Sequence, residues 1–182
     1  MEIRLDLPIT KETAEKLNSG DYCLLNGKMY VARDAAHKRL IEKLDAGEKL
    51  PFEIKDAAIY YMGPSPERPG NVIGSAGPTT AGRMDKYTPQ LLTLGLRAMI
   101  GKGKRTPEVI EYINKYKAVY FAAIGGEGAL LSKHIIHQKI LAFEDLGAEA
   151  LREIIVKDFP VIVINDCHGG NLYEDAPEKY RR

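Results

Sequence analysis

Ala118-Val119-Tyr120-Phe121-Ala122-Ala123-Ile124 is an unbroken apolar run that ends in Gly125-Gly126-Glu127-Gly128. A strand with one wet face alternates polar and apolar side chains, so a run this uniform predicts a strand covered on both faces, as in parallel sheets flanked by helices. Upstream, Thr106-Pro107 predicts an N-cap and a proline at the first helical position, with a helix to about Tyr116. Before that come a short strand over Leu96–Ile100 and a helix opened by Thr88-Pro89. Residues 57–62, Ala-Ala-Ile-Tyr-Tyr-Met, read as another buried strand. Downstream, the pattern predicts a helix from Ala129 to about Ile136, a strand over Lys139–Phe143, a helix over Ala148–Lys157 and a strand over Val161–Ile164. Strands alternating with helices argue an α/β fold with a mainly parallel central sheet.

The first part of the chain has a different rhythm. Glu2 to Leu7 alternates with period 2, the mark of a half-buried strand, and Thr10 can cap a short helix closed by Gly20. Tyr22–Leu25 and Lys28–Ala32 flank Asn26-Gly27, which predicts a hairpin. Asp34 then opens a helix through Leu44, with Gly47 beyond its end. An antiparallel N-terminal strand and hairpin would form a second, smaller sheet. There is no internal repeat and no low-complexity linker, so residues 1–182 are expected to form a single domain. Residues 171–182 are expected to be a charged tail that hugs the surface or frays.

The bulk numbers exclude several functions. The 45% hydrophobic and 28% charged fractions suit an ordinary globular chain, and a formal net charge of +1 gives no reason to expect nucleic acid. No apolar run approaches the ~20 residues needed to span a bilayer, and the charged start is not a signal peptide. Cys23 and Cys167 are too few for a disulfide scaffold or for an iron–sulfur cluster held unaided, which points to a cytoplasmic setting. His134 with His137, and Cys167 with His168, lack a third ligand nearby, so no metal site is expected. Gly101-Lys102-Gly103-Lys104 lacks the spacing of a P-loop, and Gly125-Gly126-Glu127-Gly128 lacks the third glycine of a dinucleotide fingerprint.

Gly74-Ser75-Ala76-Gly77-Pro78-Thr79-Thr80-Ala81-Gly82-Arg83-Met84-Asp85 cannot be helix or central strand. It follows a second loop, Gly63 to Gly70, and loops of that length inside a compact domain are usually functional or disordered. Arg83 from this loop, Arg33 at a strand end beside Asp34 and near His37, and Lys102 between two glycines are three cations delivered by loops. Each alone is more often a solvated charge than a ligand. Converging, they could hold both ends of a small dicarboxylate, with the hydroxyls of Thr79 and Thr80 near its middle carbons.

Asn71 to Asp85 resembles the signature of the β subunit, or C-terminal domain, of class I iron–sulfur fumarate hydratases and L(+)-tartrate dehydratases. Arg33-Asp34-Ala35-Ala36-His37-Lys38-Arg39 is similar to that family's second motif. Tyr60-Tyr61-Met62-Gly63-Pro64, Ile100-Gly101-Lys102-Gly103 and Ala123-Ile124-Gly125-Gly126 fall in the family's order. Cys167-His168-Gly169-Gly170-Asn171 departs from it, standing where an acidic Asp-Lys-Gly-Asn turn is expected. The resemblance implies a swivelling β/β/α domain of three layers, with a central parallel sheet, a smaller antiparallel sheet and a helical layer. It implies a hydro-lyase that interconverts fumarate and L-malate, or else tartrate and oxaloacetate, active only with an α subunit that carries a 4Fe–4S cluster. A non-catalytic anion-binding or regulatory module is the alternative of another class. The resemblance places Arg33, Arg83 and Lys102 on the substrate carboxylates and Thr79 at the base position, beside Thr80. Gly77, Pro78 and Gly82 would shape the loop with His37 nearby, and Asp85 would orient Arg83. An isolated chain could pair with itself through the surface meant for its partner.

Overall fold

A computed structural model describes residues 2–123 and 128–180, with side chains described to residue 176. The expected turn Gly125-Gly126-Glu127 lies outside the described residues. The elements run β1 (Glu2–Leu7), α1 (Lys11–Ala14), β2 (Tyr22–Val31), α2 (Asp34–Asp45), β3 (Ala58–Tyr60), α3 (Thr88–Thr93), β4 (Ala98–Gly101) and α4 (Pro107–Tyr116). They continue with β5 (Val119–Ala122), α5 (Gly128–Leu131), β6 (Ile135–Ala142), β7 (Leu151–Asn165) and α6 (Leu172–Tyr180). Short 3-10 turns occupy Ala81–Met84, Ser132–His134 and Glu144–Glu149.

The fold is mixed α/β around one seven-stranded sheet in the order β1-β2-β3-β4-β5-β7-β6. Strands β1 to β5 are mutually parallel, whereas β7 runs antiparallel to β5, β6 and β2. Because β7 reaches β5 with one edge and β2 with the other, the strands β2-β3-β4-β5-β7 form a partly closed circuit. The antiparallel strands therefore belong to the same sheet as the parallel ones. They do not form a separate one.

The apolar strands follow from this closure. Successive side chains point to opposite faces. Tyr60, Ile100, Val119 and Phe121 join an apolar cluster with Met29, Ile154, Val156 and Phe159 from β2 and β7. Their neighbours Ile59, Met99 and Tyr120 join a second cluster with Leu40 of α2, Leu91 of α3, and Val109 and Ile113 of α4. Each fully buried side chain of this size contributes on the order of 1.5–3 kcal/mol. Helix α4 forms as expected: Thr106 accepts a hydrogen bond from the Val109 N–H at 3.4 Å, and Lys117 ends the helix in the left-handed region.

Three expectations are overturned. Asn26-Gly27 makes no hairpin, and β1 pairs with β2 in parallel. Residues 22–31 stay one strand because both halves pair with β7; the dipeptide forms a bulge instead, with Gly27 at φ +110 and the Asn26 side chain accepting from the Asp158 N–H at 2.9 Å. Residues 148–157 are largely strand, since Ile154, Val156, Phe159, Val161 and Val163 all bury on one face once the positive φ of Asp158 shifts the alternation. The helix expected over 129–136 stops at Leu131, a 3-10 turn follows, and β6 starts at Ile135. The charged tail lies against the fold as a helix over Leu172–Tyr180: the Asn171 side chain accepts from the Tyr173 N–H at 3.3 Å, and Leu172 and Tyr173 pack on the helix-side cluster.

Candidate functional site

Parallel strands bring their carboxyl ends to one edge of a sheet, where crossover loops can converge. Arg33 follows β2, Lys102 follows β4, and the segment 61–80 leaves β3 and comes back between them. Its return is stitched down by backbone hydrogen bonds. The Thr79 N–H donates to the Tyr61 carbonyl at 2.7 Å, Lys102 N–H to the Thr79 carbonyl at 3.2 Å, and Ala81 N–H to the Lys102 carbonyl at 2.8 Å. Met62 bridges Pro78, and Thr80 bridges Lys102. Thr79, Thr80 and Lys102 thus lie on adjacent strips of backbone. Buried Tyr60 ties down the preceding turn, donating its hydroxyl to the Ala76 carbonyl at 2.5 Å.

The two arginines meet on one carboxylate. Arg83 Nη2 donates to Asp34 Oδ2 at 2.6 Å, and Arg33 Nε lies 3.6 Å from Asp34 Oδ1. On its other side Arg33 Nε lies 3.3 Å from Glu149 Oε1, from the turn before β7. Burial pushes the Asp34 carboxyl up, but its own backbone N–H and the charges of Arg83 and Arg33 outweigh that and hold it below the usual carboxylate range. Arg33 also lies against Gly63, where an added Cβ would stand 2.8 Å from Nη1 and 2.9 Å from Cδ, so a side chain there would displace the arginine. Arg83 is half exposed, and Lys102 is exposed with no ion pair among the described residues.

The expected residues around this group sort differently. His37 is fully buried beneath Arg33, with its Nδ1–H donating to the Arg33 carbonyl at 2.8 Å. Burial, helped by the positive charge of Arg105, pushes its pKa down to about 4. Asp85 does not orient Arg83; Asp34 does. The Asp85 carboxylate instead accepts from the buried Arg105 Nε at 2.7 Å and from the Thr106 N–H at 2.6 Å. Gly77 and Gly82 have no positive φ, and an added Cβ would meet only ordinary contacts, at 3.6 and 3.7 Å respectively. Pro78 is buried at the bridge to Met62. Sequence reasoning passed over Asp34, Gly63, Arg105 and Glu149. Only Asp34 and Gly63, lying in or beside the motifs, carried a local signal.

A cleft of about 550 Å³ lies elsewhere, lined by Ser65, Arg68, Val72, Ser75, Ser132 and Lys133. It contains neither arginine of the cluster. Among the described residues no group of His, Cys, Asp and Glu could hold a metal ion. Nor do the cysteines fit as ligands for an iron–sulfur cluster, which binds thiolates. Both are buried, and burial pushes the Cys23 thiol up to about 12 and raises Cys167 as well. His134 donates its Nδ1–H to the Lys157 carbonyl, and His168 donates its Nε2–H to the Glu15 carbonyl. The Cys167–Gly170 turn is held by Asp166, whose carboxylate accepts the N–H groups of Ser19, His168 and Gly170.

A Methanocaldococcus jannaschii protein provisionally named L(+)-tartrate dehydratase subunit beta is 38% identical over 177 residues, covering 94% of this chain and 91% of that protein. Fumarate hydratase 2 of Leishmania major is 39% identical over 95% of the chain, and the anaerobic class I fumarate hydratase of Escherichia coli is 41% identical over 85%. The chain spans only 31% and 29% of the length of those two enzymes. The family model described as Fumarase C-terminus matches residues 1–176, and the chain belongs to that family.

Proposed function

We propose that this chain is the β subunit of a class I fumarate hydratase, a hydro-lyase that interconverts fumarate and L-malate. One observation carries the reading: guanidinium groups from the ends of two different chain segments meet on Asp34 at the carboxyl edge of the parallel strands. Arg33, Arg83 and Lys102 bind the two carboxylates of the substrate by charge-assisted hydrogen bonds. Their charge favours the dianion that forms when the proton beside a carboxylate leaves. Thr79 Oγ takes that proton, with Lys102 on the neighbouring strip lowering the cost of its ionised form and Thr80 flanking it. Pro78, Gly77 and Gly82 belong to the loop that carries these hydroxyls, and His37 supports it from beneath Arg33.

The reading includes a partner. An α subunit holds the 4Fe–4S cluster of this class and closes over the open cation surface, in the cytoplasm. The chain would be one domain of the swivelling β/β/α type, and an isolated copy could pair with itself through the same surface. A second reading, the β subunit of an L(+)-tartrate dehydratase, is favoured by the nearly full-length match to the archaeal protein of that name.

Anaerobic reconstitution with the candidate α subunit, followed by the malate-to-fumarate absorbance change, tests the proposal. The pair is expected to turn over, neither chain alone is, and Arg83→Ala is expected to lower kcat/KM by ~100-fold or more. Comparing malate with tartrate decides the substrate. Intact substrate affinity and turnover in Arg83→Ala would remove the carboxylate assignment. A wild-type pair inert on both substrates would leave only a non-catalytic anion-binding module.

A further inference from the structure

We propose that Asp34, backed by Glu149, is the positioning residue that sets the two substrate-binding arginines at a fixed separation before substrate arrives. The inference rests on the carboxylate-binding role given above to Arg33 and Arg83. Two guanidinium groups brought together repel, and each long side chain has many rotamers to lose. Asp34 answers both problems with one carboxylate. Its Oδ2 takes Arg83 Nη2 at 2.6 Å, and its Oδ1 faces Arg33 Nε at 3.6 Å. Glu149 faces the same Nε from the opposite side at 3.3 Å. Arg33 Nε is therefore flanked by two acids at ion-pair distance, and the side chain lies against Gly63; its guanidinium donates no hydrogen bond among the described residues. Arg83 has Asp34 as its sole side-chain partner among the described residues, although it is 51% exposed. A half-exposed arginine on a loop would otherwise sample many directions.

Asp34 is itself fixed. It opens α2 directly after Arg33, so the backbone that orients one arginine also carries the carboxylate that orients the other. The carboxyl stays ionised throughout the neutral range, because Arg83, Arg33 and its own backbone N–H overcome the effect of burial. Glu149 comes from a turn more than a hundred residues later, at the start of the closing strand β7. The arginine pair is thus set both by local sequence and by sheet closure.

The same contacts allow the opposite role, in which Asp34 competes with substrate for the guanidiniums. The sign of the effect on KM separates the two. Asp34→Asn keeps the shape and removes the charge. In the complex with the α subunit it is expected to raise KM for malate about tenfold or more, while kcat changes less than about threefold. Glu149→Gln should act in the same direction by a few-fold, and Asp34→Glu should recover part of the loss. Binding of succinate to the complex by calorimetry reads the same weakening without turnover, so it remains informative if the wild-type pair proves inert. An unchanged or lower KM and an unchanged or tighter succinate affinity in Asp34→Asn would overturn the proposal. If that variant fails to assemble, Glu149→Gln decides on the same criteria.

Discussion

His37 shows how much a single side chain under the site can impose on the molecule. Its Nδ1–H donates to the Arg33 carbonyl, which leaves Nε2 as an acceptor with no partner among the described residues. A neutral imidazole fits that environment; an imidazolium would bury a second donor without an acceptor, close to Arg105. The native pKa of about 4 lies below the unfolded value of 6.5. As pH falls through 6.5, the unfolded chain takes up a proton that the native chain refuses, so stability declines down to about pH 4 and this group adds no further loss below that. At ~1.4 kcal/mol per unit, the decline reaches about 3 kcal/mol. Urea unfolding at about pH 7.5 and about pH 4.5 should show it, and His37→Gln, which still has an N–H for the Arg33 carbonyl, should flatten the slope over this range. An equal slope in the variant would assign the acid sensitivity to other groups. The same position marks the limit of sequence reading. The Arg33–His37 motif identified a site neighbour, but its burial depends on Tyr61 and Tyr87, whose rings pack against His37. No local pattern announces that.

Elements carry the next level of the argument, and the loop between β3 and α3 depends on one buried ion pair. Asp85 closes the 3-10 turn that displays Arg83, and Arg105 lies just after the strand end that displays Lys102. Their contact, with Arg105 Nη2 on the Thr88 hydroxyl at 3.0 Å and the guanidinium 4.8 Å from the Tyr120 ring, clamps the two segments together. Asp85→Asn leaves Arg105 buried without its counter-charge and is expected to cost about 3–5 kcal/mol. Thermal or urea unfolding should record it, and Asp85→Asn with Arg105→Met should lose less than the two single changes summed. Additive losses would argue against a clamp. The pairing was not legible in advance: Asp85 stands two residues from Arg83 in sequence, but the 3-10 turn points the two side chains to different neighbours. Strands β3, β4 and β5 were legible because residues covered on both faces leave an unmistakable composition. Strand β7 was not, since Leu151, Ile154 and Ile155 fall at spacings a helix would also use. The Asn26-Gly27 bulge failed for a related reason, its partner Asp158 lying more than a hundred residues downstream.

For the whole molecule, the sheet circuit makes the last strand indispensable to the first ones. β2 has β1 along one half of one edge and β3 along the other, but β7 along its entire opposite edge. A nascent chain that has not yet emitted residues 151–165 owns all five parallel strands and still leaves that edge of β2 unpaired. Long-range closure of this kind is slow, because loop entropy must be met before the contacts form. Protection from protease in ribosome-arrested chains should therefore appear only after Asn165 has cleared the exit tunnel, in one step. Stepwise protection from shorter chains would mean that the parallel strands stand alone. Until synthesis is nearly complete, then, the cation surface has no rigid support. In the proposed assembly, the α subunit would meet either a finished β subunit or an unfinished chain with an open strand edge, which would give the cell a reason to make both proteins close together in time.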